Sequence, residues 1–369
     1  MSRARDFADL AASADAGGIT GSNLIINGAM QVWQRGTTID TITNGAYLCD
    51  RWKVIHVGTD GNVDVDRSTD VPSGQGFGYS QKISMDASET SLDADDQVTI
   101  QQRFEGQDLQ QLLKGTSSAK SLTLSFWVKS SVASTYTVLL KDHDNSRIIG
   151  RTYTISSANT WENKTITFAG DTTGALDNDN NRSLDLHFYL DAGSTYTGGT
   201  FATSWASDVY NTRVSDTTGW LESTSPEWYI TGVQLEVGEQ ATPFEHRSYG
   251  DELARCQRYY FRINEGVNYQ RFALGSCANS NNAQTTITLP VTMRTTPSVD
   301  TTGTAGDYAF FEAGIVHTLT SLPSINTSGS NAESVNVTCT STGNFAAGNA
   351  GEFLSNNDTS VFFALSAER

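Results

Sequence analysis

Two oxygen-rich turns are the first places in this sequence where side chains could do chemistry. Asp142, His143 and Asp144 stand together in KDHDN, and Asp177, Asn178, Asp179, Asn180 and Asn181 in LDNDNN. Carboxylate and amide oxygens at that density can hold Ca²⁺, but neither run has the spacing of an EF-hand loop or a calcium-binding repeat. Both therefore read as solvated turns, and no metal site is expected. His56, His143, His187, His246 and His317 occur singly. There is no GxSxG elbow, no GxxxxGK[ST] phosphate loop and no HExxH pair. Gly74, Gly76 and Gly78 give a fragment of GxGxxG with Tyr79 next and no helix to follow, which reads as a flexible turn. Carboxylates are plentiful, but sequence alone places no pair at glycosidase separation. No catalytic residue and no cofactor is expected, and the protein reads as not an enzyme.

Aromatic rings are the more informative chemistry. Residues 192–226 form a long, strand-poor insertion that carries Tyr196, Phe201, Trp205, Tyr210 and Trp220. Disordered segments are normally poor in aromatics, so this insertion is expected to be ordered. Flat rings among Asn and Asp neighbours suit stacking on sugars, and they equally suit a subunit interface or plain packing. Trp127 presents the same choice: in SLTLSFWVKS it falls on the polar face of the strand, opposite Leu122, Leu124, Phe126 and Val128. Trp127, Tyr196, Trp205, Tyr210 and Trp220 are thus candidates for glycan contact or for an interface.

The elements that must position these rings are strands. Hydrophobic residues make up 37% of the chain, and small polar residues are abundant. That composition favours short strands joined by polar turns. About ten strand candidates between residues 22 and 247, with no alternation of strand and helix, predict an antiparallel β-sandwich of jelly-roll type. Asn27-Gly28 predicts a turn between two apolar segments of NLIINGAMQVWQRG. GQDLQQLLKG reads as one short helix. Leu253, Cys256, Tyr260 and Ile263 recur at helical spacing, which predicts a linking helix over 248–263. The same spacing fits a short heptad seam through which copies of the chain could meet. A second β-sandwich is expected over 264–369, with Pro290 and Pro297 breaking an irregular or edge segment and a doubly apolar strand around Val361, Phe363 and Leu365. At the other end, residues 1–21 read as an arm whose Phe7 and Leu10 line one face of a small amphipathic helix, suited to docking. The fold class is therefore all-β, with an arm, a sandwich, a linking helix and a second β domain.

Formal net charge is −17, with 24 Lys plus Arg against 41 Asp plus Glu, which argues against a nucleic-acid partner. No apolar run approaches the length of a membrane span, so membrane insertion is not expected. Cys49, Cys256, Cys277 and Cys339 lie far apart and read as buried thiols. No secretory signal is legible, and synthesis in a cytoplasm is expected.

The blocks NLIINGAMQVWQRG, YLCDRW, QRFEGQDLQQLLKG with SLTLSFWVKS, and above all ATPFEHR and ELARCQRYYF within residues 227–262, resemble a family of phage virion proteins. These are of the tail-fibre type found in marine and related tailed phages, and the resemblance covers nearly all of the chain from Asn23 on. It implies a virion structural protein assembled in the host cytoplasm. The expected form is a homotrimeric tail fibre that docks on other virion proteins by its N-terminus and contributes to host attachment and receptor binding. The opening RARDFADLA is similar to the virion-proximal start of such fibres. More loosely, the NLIINGAM block and the last strand of the first region are similar to carbohydrate-binding-module sandwiches, which leaves a host surface glycan as a further expected partner. A capsid decoration protein or head fibre, and a glycan-degrading tailspike, are the alternatives. The absence of a β-helix repeat weighs against the last.

Overall fold

Alternation between buried and exposed residues organises this chain. In Leu122–Ser130, Leu122, Leu124, Phe126 and Val128 turn inward, and Ser125 and Trp127 are only half-buried on the other face. A computed structural model describes residues 23–58, 61–89, 91–263, 266–301 and 303–368. The docking arm expected around Phe7 and Leu10 lies outside the described residues. The chain divides between Glu252 and Leu253 into two compact units, both built of antiparallel sheets with few helices, and the all-β expectation holds.

The first unit carries β1 (Thr38–Ile39), β2 (Ala46–Tyr47), β3 (Lys53–Val57), β4 (Val63–Ser68), β5 (Ser80–Met85), β6 (Gln97–Glu105) and β7 (Leu122–Ser130). It continues with β8 (Thr135–Asp142), β9 (Arg147–Thr154), β10 (Glu162–Phe168), β11 (Arg182–Ala192), β12 (Ala206–Ser207) and β13 (Glu227–Val237). A six-stranded sheet has the order β1-β4-β5-β13-β7-β10, and a seven-stranded sheet the order β12-β9-β8-β11-β6-β3-β2. Leu124, Phe126, Val128 and Trp228 from the first sheet meet Val98, Ile100, Leu186 and Phe188 from the second in one core. Phe126 packs edge-on against Phe188 with ring centroids 5.0 Å apart. GQDLQQLLKG forms a 3₁₀ helix, Gly106–Leu112, that ends with Leu113 in a left-handed conformation.

NLIINGAMQVWQRG departs from expectation: it contains the predicted turn but no flanking strands. Side-chain hydrogen bonding replaces the sheet ladder there. The Asn27 amide donates to Val32 O at 2.9 Å and Asp50 O at 3.0 Å, and its oxygen accepts from Gln31 N and Val32 N. Asn27 itself is fully buried at a φ of 59°. The following Gly28 is obligatory because a Cβ there would lie 2.1 Å from Val233 O.

The ATPFEHR block clamps the same region. The backbone of Asn23 donates to Glu245 Oε2 at 3.0 Å, Arg247 donates to Ile25 O at 2.8 Å and to Asn23 O, and Asn27 N donates to Glu252 Oε1 at 2.5 Å. Phe244 packs edge-on and His246 tilted against Phe77, at centroid distances of 5.1 and 5.4 Å. The most recognisable block of the sequence is thus a structural clamp.

Among the described residues there are two α-helices, α1 (Ser194–Thr197) and α2 (Tyr249–Gln257). Ser248 caps α2, accepting from Asp251 N at 3.2 Å and donating to the Asp251 carboxylate at 2.7 Å. The expected helix over 248–263 is half right. After Gln257 the chain turns, and Tyr260–Ile263 is β14. Leu253, Cys256, Tyr260 and Ile263 therefore do not share one helical face. The run Tyr259-Tyr260-Phe261 has strong strand propensity, and pairing with the last strand outweighs a helical stripe with no continuous partner. Cys256 and Tyr260 are buried, and Leu253 and Ile263 are half-buried.

In the second unit, β15 (Arg271–Cys277), β16 (Asn282–Thr288), β17 (Ser298–Thr301), β18 (Tyr308–Glu312) and β19 (Ile315–Thr318) follow. The remaining strands are β20 (Ser324–Asn326), β21 (Ser334–Thr340), β22 (Ala350–Ser355) and β23 (Phe363–Ser366). They make a seven-stranded sheet, β19-β18-β22-β15-β16-β21-β20, and a three-stranded sheet, β14-β23-β17. Phe272, Tyr308, Phe353 and Phe363 are packed in their shared core. Val361, Phe363, Ala364 and Leu365 are buried as expected, and the segment between Pro290 and Pro297 is irregular. None of the four cysteines forms a disulfide, and all are buried.

Candidate functional site

The outer face of the seven-stranded sheet carries polar residues at alternate positions of its central strands. In β6 these are Gln97, Thr99, Gln101 and Arg103, while Val98, Ile100 and Phe104 turn to the core. In β11, Asp185, His187 and Tyr189 alternate with Leu184, Leu186 and Phe188. Pairing registers align them in rows across the sheet. Asp185 stands opposite Arg103 on one side and Lys141 on the other; His187 lies between Gln101 and Leu139; Tyr189 lies between Thr99 and Thr137. Successive rows are about 7 Å apart along the strands.

The aromatic insertion folds over one end of this face. Tyr196, Ala202 and Val214 make a small second core with Leu139, Ile148 and Tyr189. Phe201 lies over Gly150, where a Cβ would come within 2.5 Å of its ring. Between the insertion and the sheet is a groove of about 240 Å³. Its floor and walls include Gln101, Arg103, Lys141, Arg182, His187 and Arg213.

Gln101 is the residue in the groove with unmet hydrogen-bonding capacity. Its side chain is 1% exposed, and neither its amide nitrogen nor its oxygen has a partner. His187 Nδ1 is likewise buried without a partner, and Nε2 lies 3.3 Å from Asp185 Oδ2. A buried amide left unsatisfied costs about 1–3 kcal/mol, so a fold that keeps one has reason to satisfy it from outside.

The charges around Gln101 are fixed in place. Arg182 grips Asp185 through Nε and Nη2, and His143 Nε2 lies 2.8 Å from the same carboxylate. Burial would push Asp185 up, but Arg182, His143 and His187 together hold it well below the usual carboxylate range. Asp208 does the same for Arg213 at 2.7 Å and Lys141 at 2.8 Å; against the upward push of burial, these two cations keep its pKa low. Burial lowers the His187 imidazole below the ordinary histidine range, against the upward pull of Asp185, and so favours the neutral ring.

The aromatic candidates separate by environment. Trp220 is wholly buried in the main core and has no face to offer a ligand. Trp205 is half-buried, donates its indole N–H to Ala169 O at 2.7 Å and lies under Lys114. Tyr196 is buried, and Gln97, which lines the groove, donates to its hydroxyl at 2.7 Å. Tyr210 is 60% exposed and lies beside Arg213, whose guanidinium sits 4.0 Å from the ring centroid. The rings of His187, Tyr189, Tyr196 and Tyr210 follow one another at 6.0, 6.5 and 6.2 Å, and the first two line the groove. Trp127 belongs to the six-stranded sheet, opposite Asn163 and Thr231, remote in topology from this groove. Nearby on that sheet, Lys129 covers the Tyr229 ring at 4.1 Å and pairs with Asp70.

The oxygen-rich turns prove to be structural. Asp142 is fully buried, and Lys114 Nζ lies 2.5 Å from its Oδ2 and 3.1 Å from Asp171 Oδ2. Asp144 accepts from Asp177 N at 2.9 Å, which ties the two turns together. The expectation that KDHDN is a solvated turn fails at Asp142, because the ammonium of Lys114 is buried with it. Among the described residues, no group of three His, Cys, Asp or Glu side chains is placed to hold a metal ion. Among the described residues, no helix is long and apolar enough to cross a membrane.

No protein-family model matches the chain, and no curated protein sequence matches it. Among solved structures, it is similar to the enzymatically active domain of bacteriophage CBA120 tailspike protein 4, at 15% identity over 54% of this chain and a TM-score of 0.30. The match spans 21% of that domain's length. It is also similar to the family 11 carbohydrate-binding module of Clostridium thermocellum in complex with a mixed-linked β-1,3-1,4 tetrasaccharide. That match has 14% identity, 56% coverage of this chain, 99% of the module and a TM-score of 0.28. A third similarity is to the N-terminal cellulose-binding domain of Cellulomonas fimi β-1,4-glucanase C, at 13% identity over 52% of this chain and 90% of the domain, with a TM-score of 0.26. At these scores the similarities carry no argument about ligand or activity.

Proposed function

We propose that this chain is a phage virion structural protein of the tail-fibre type, and that its first unit binds carbohydrate without cleaving it. The single observation that carries the binding reading is Gln101: a buried amide with no partner, lining a groove to which the aromatic insertion contributes Arg213. Sugar hydroxyls both donate and accept hydrogen bonds, which is what a carboxamide requires. Tyr210 is exposed next to the groove residue Arg213, and the ring face that Arg213 leaves open is one on which a sugar can stack. The virion assignment is supported by the sequence blocks from Asn23 to Arg262, now assigned to the clamp and to the strands beside it.

Binding is preferred to hydrolysis because no Asp or Glu lines the groove, whereas glycosidases use a pair of carboxyl groups flanking the bond. Location on the virion, docking through residues 1–21 and assembly as a homotrimer belong to the same proposal. The test uses the purified full chain with cells of the phage's host. Saturable binding that competes with phage adsorption, without release of reducing sugar, is the expected result. Absence of binding to host cells and to their isolated polysaccharides overturns the attachment role, and release of reducing ends overturns the non-enzymatic one.

A further inference from the structure

The geometry points to an acidic polysaccharide, one carrying carboxylate or sulfate groups, as the ligand class of the groove beneath the aromatic loop. This rests on the proposal that the groove binds carbohydrate, and narrows it.

The first ground is composition. The whole chain has only 24 Lys plus Arg in 369 residues and a formal net charge of −17. Among the twelve residues that line the groove, four are Arg or Lys — Arg103, Lys141, Arg182 and Arg213 — and none is Asp or Glu. Cations are thus concentrated several-fold above their frequency in the chain, on a molecule whose overall field repels anions. Long-range attraction cannot deliver an acidic polymer to such a protein, so anion binding must come from a local, built site.

The second ground is how these cations are held. Asp185 and Asp208, with side chains 0% and 9% exposed, anchor Arg182 on one side and Lys141 with Arg213 on the other. Arg182 binds Asp185 through Nε and Nη2, which leaves Nη1 outside that pair. A guanidinium has five N–H donors, so a carboxylate can orient it and leave donors for a ligand. In the sheet, Arg103, Asp185 and Lys141 form one cross-strand row, and Gln101 and His187 form the next, about 7 Å along. A row that recognises charge therefore adjoins a row that recognises hydroxyl and amide groups. An acidic sugar presents both kinds of group on successive parts of one ring or on neighbouring rings. A neutral glycan would engage the second row and offer the first no anion.

The test is calorimetric titration of the full-length protein with polygalacturonate as the carboxylated polymer, carrageenan as the sulfated one, and mixed-linkage β-glucan as the neutral control. Binding to one or both acidic polymers is expected, weakening by about tenfold or more as salt is raised from low to several hundred millimolar; which polymer binds identifies the anionic group. Lys141→Gln is expected to weaken acidic binding and flatten its salt dependence. Gln101→Leu should weaken binding at every salt concentration, and its uncharged side chain fills the same buried space, so loss of fold is not the anticipated outcome. Equal, salt-insensitive binding of the neutral glucan overturns the charge inference and leaves the carbohydrate reading standing. Binding to none of the three polymers or to host polysaccharide overturns both. Acidic binding that neither substitution changes places the ligand elsewhere and overturns the assignment of the groove.

Discussion

Lys114 Nζ lies 2.5 Å from Asp142 Oδ2, with the two side chains 5% and 0% exposed, and Asp171 completes the pair from 3.1 Å. Arg147 in turn reaches Asp171 at 2.7 Å, so one buried network joins β8, β9 and the loop after β10. Removing one member of a buried ion pair leaves the other uncompensated and costs about 3–5 kcal/mol. Lys114→Met is therefore expected to destabilise the first unit by that amount in denaturant unfolding. A loss below about 1 kcal/mol would mean that Asp142 is solvated after all.

Acid should weaken the first unit in two stages. His187 has a depressed pKa because burial disfavours its charged form, so the unfolded chain takes up the proton first. Stability is complete above the ordinary histidine value of about 6.5 and declines as pH falls below it. His56, also lowered by burial, adds to this stage. Asp185, Asp208 and Asp171 are depressed by their cation partners in spite of burial, so their contribution is present above about pH 4 and is lost as pH falls through their folded values. Melting temperature measured from pH 8 to pH 3 (roughly these windows) should show both declines, and His187→Asn should shrink the first without abolishing it.

Stability and binding should separate at Gln101. Its amide is buried with both polar atoms unpaired, and removing such a group is close to neutral or stabilising. Gln101→Leu is expected to keep or raise the melting temperature by a few degrees, while carbohydrate affinity falls. A melting temperature lowered by more than about 5 °C would show that the amide supports the fold.

Tyr210→Ala should act on binding alone, because the ring is mostly exposed and belongs to no core cluster. Its loss should weaken carbohydrate binding by roughly 1 kcal/mol, with unfolding unchanged within about 0.5 kcal/mol. Trp220→Ala should do the reverse. It opens a cavity in the main core, costing about 3–5 kcal/mol, and any effect on affinity should follow stability.

Oligomerisation through Leu253, Cys256, Tyr260 and Ile263 is constrained by their placement. Cys256 and Tyr260 are already buried in the single chain, and the last two residues of the set belong to a strand. Leu253→Asp is expected to leave the oligomeric state unchanged in sedimentation. Dissociation on that substitution would restore α2 as the contact.

How far the sequence revealed this molecule depended on whether a signal was local. Period-two alternation in SLTLSFWVKS announces β7, because its apolar face packs in the core while Ser125 and Trp127 stay half-buried. The end of α2 was misread because Tyr260 and Ile263 keep helical spacing, yet their strand pairing is with Ser366 and Phe363, about a hundred positions away. The groove was hidden for the same reason. Gln101, Lys141 and Arg182 come from three separate strands, and only the registers of β6, β11 and β8 bring them together. One local trace existed: the polar positions Gln97, Thr99, Gln101 and Arg103 on a strand that turns out to lie inside the sheet. Aromaticity drew attention instead to Trp220, which serves the core.

The clamp between residues 23–27 and 245–252 has a mechanical consequence. Asn23, Ile25 and Asn27 are bound side by side to Glu245, Arg247 and Glu252, so the first and last segments of the sandwich meet at one place. Tension applied between residues 23 and 252 is shared between these few short bonds and those that join residues 23–27 to β13 and β6. Pulling on these two points would therefore load a direct tie between the ends of the sandwich instead of drawing out the loops between its strands.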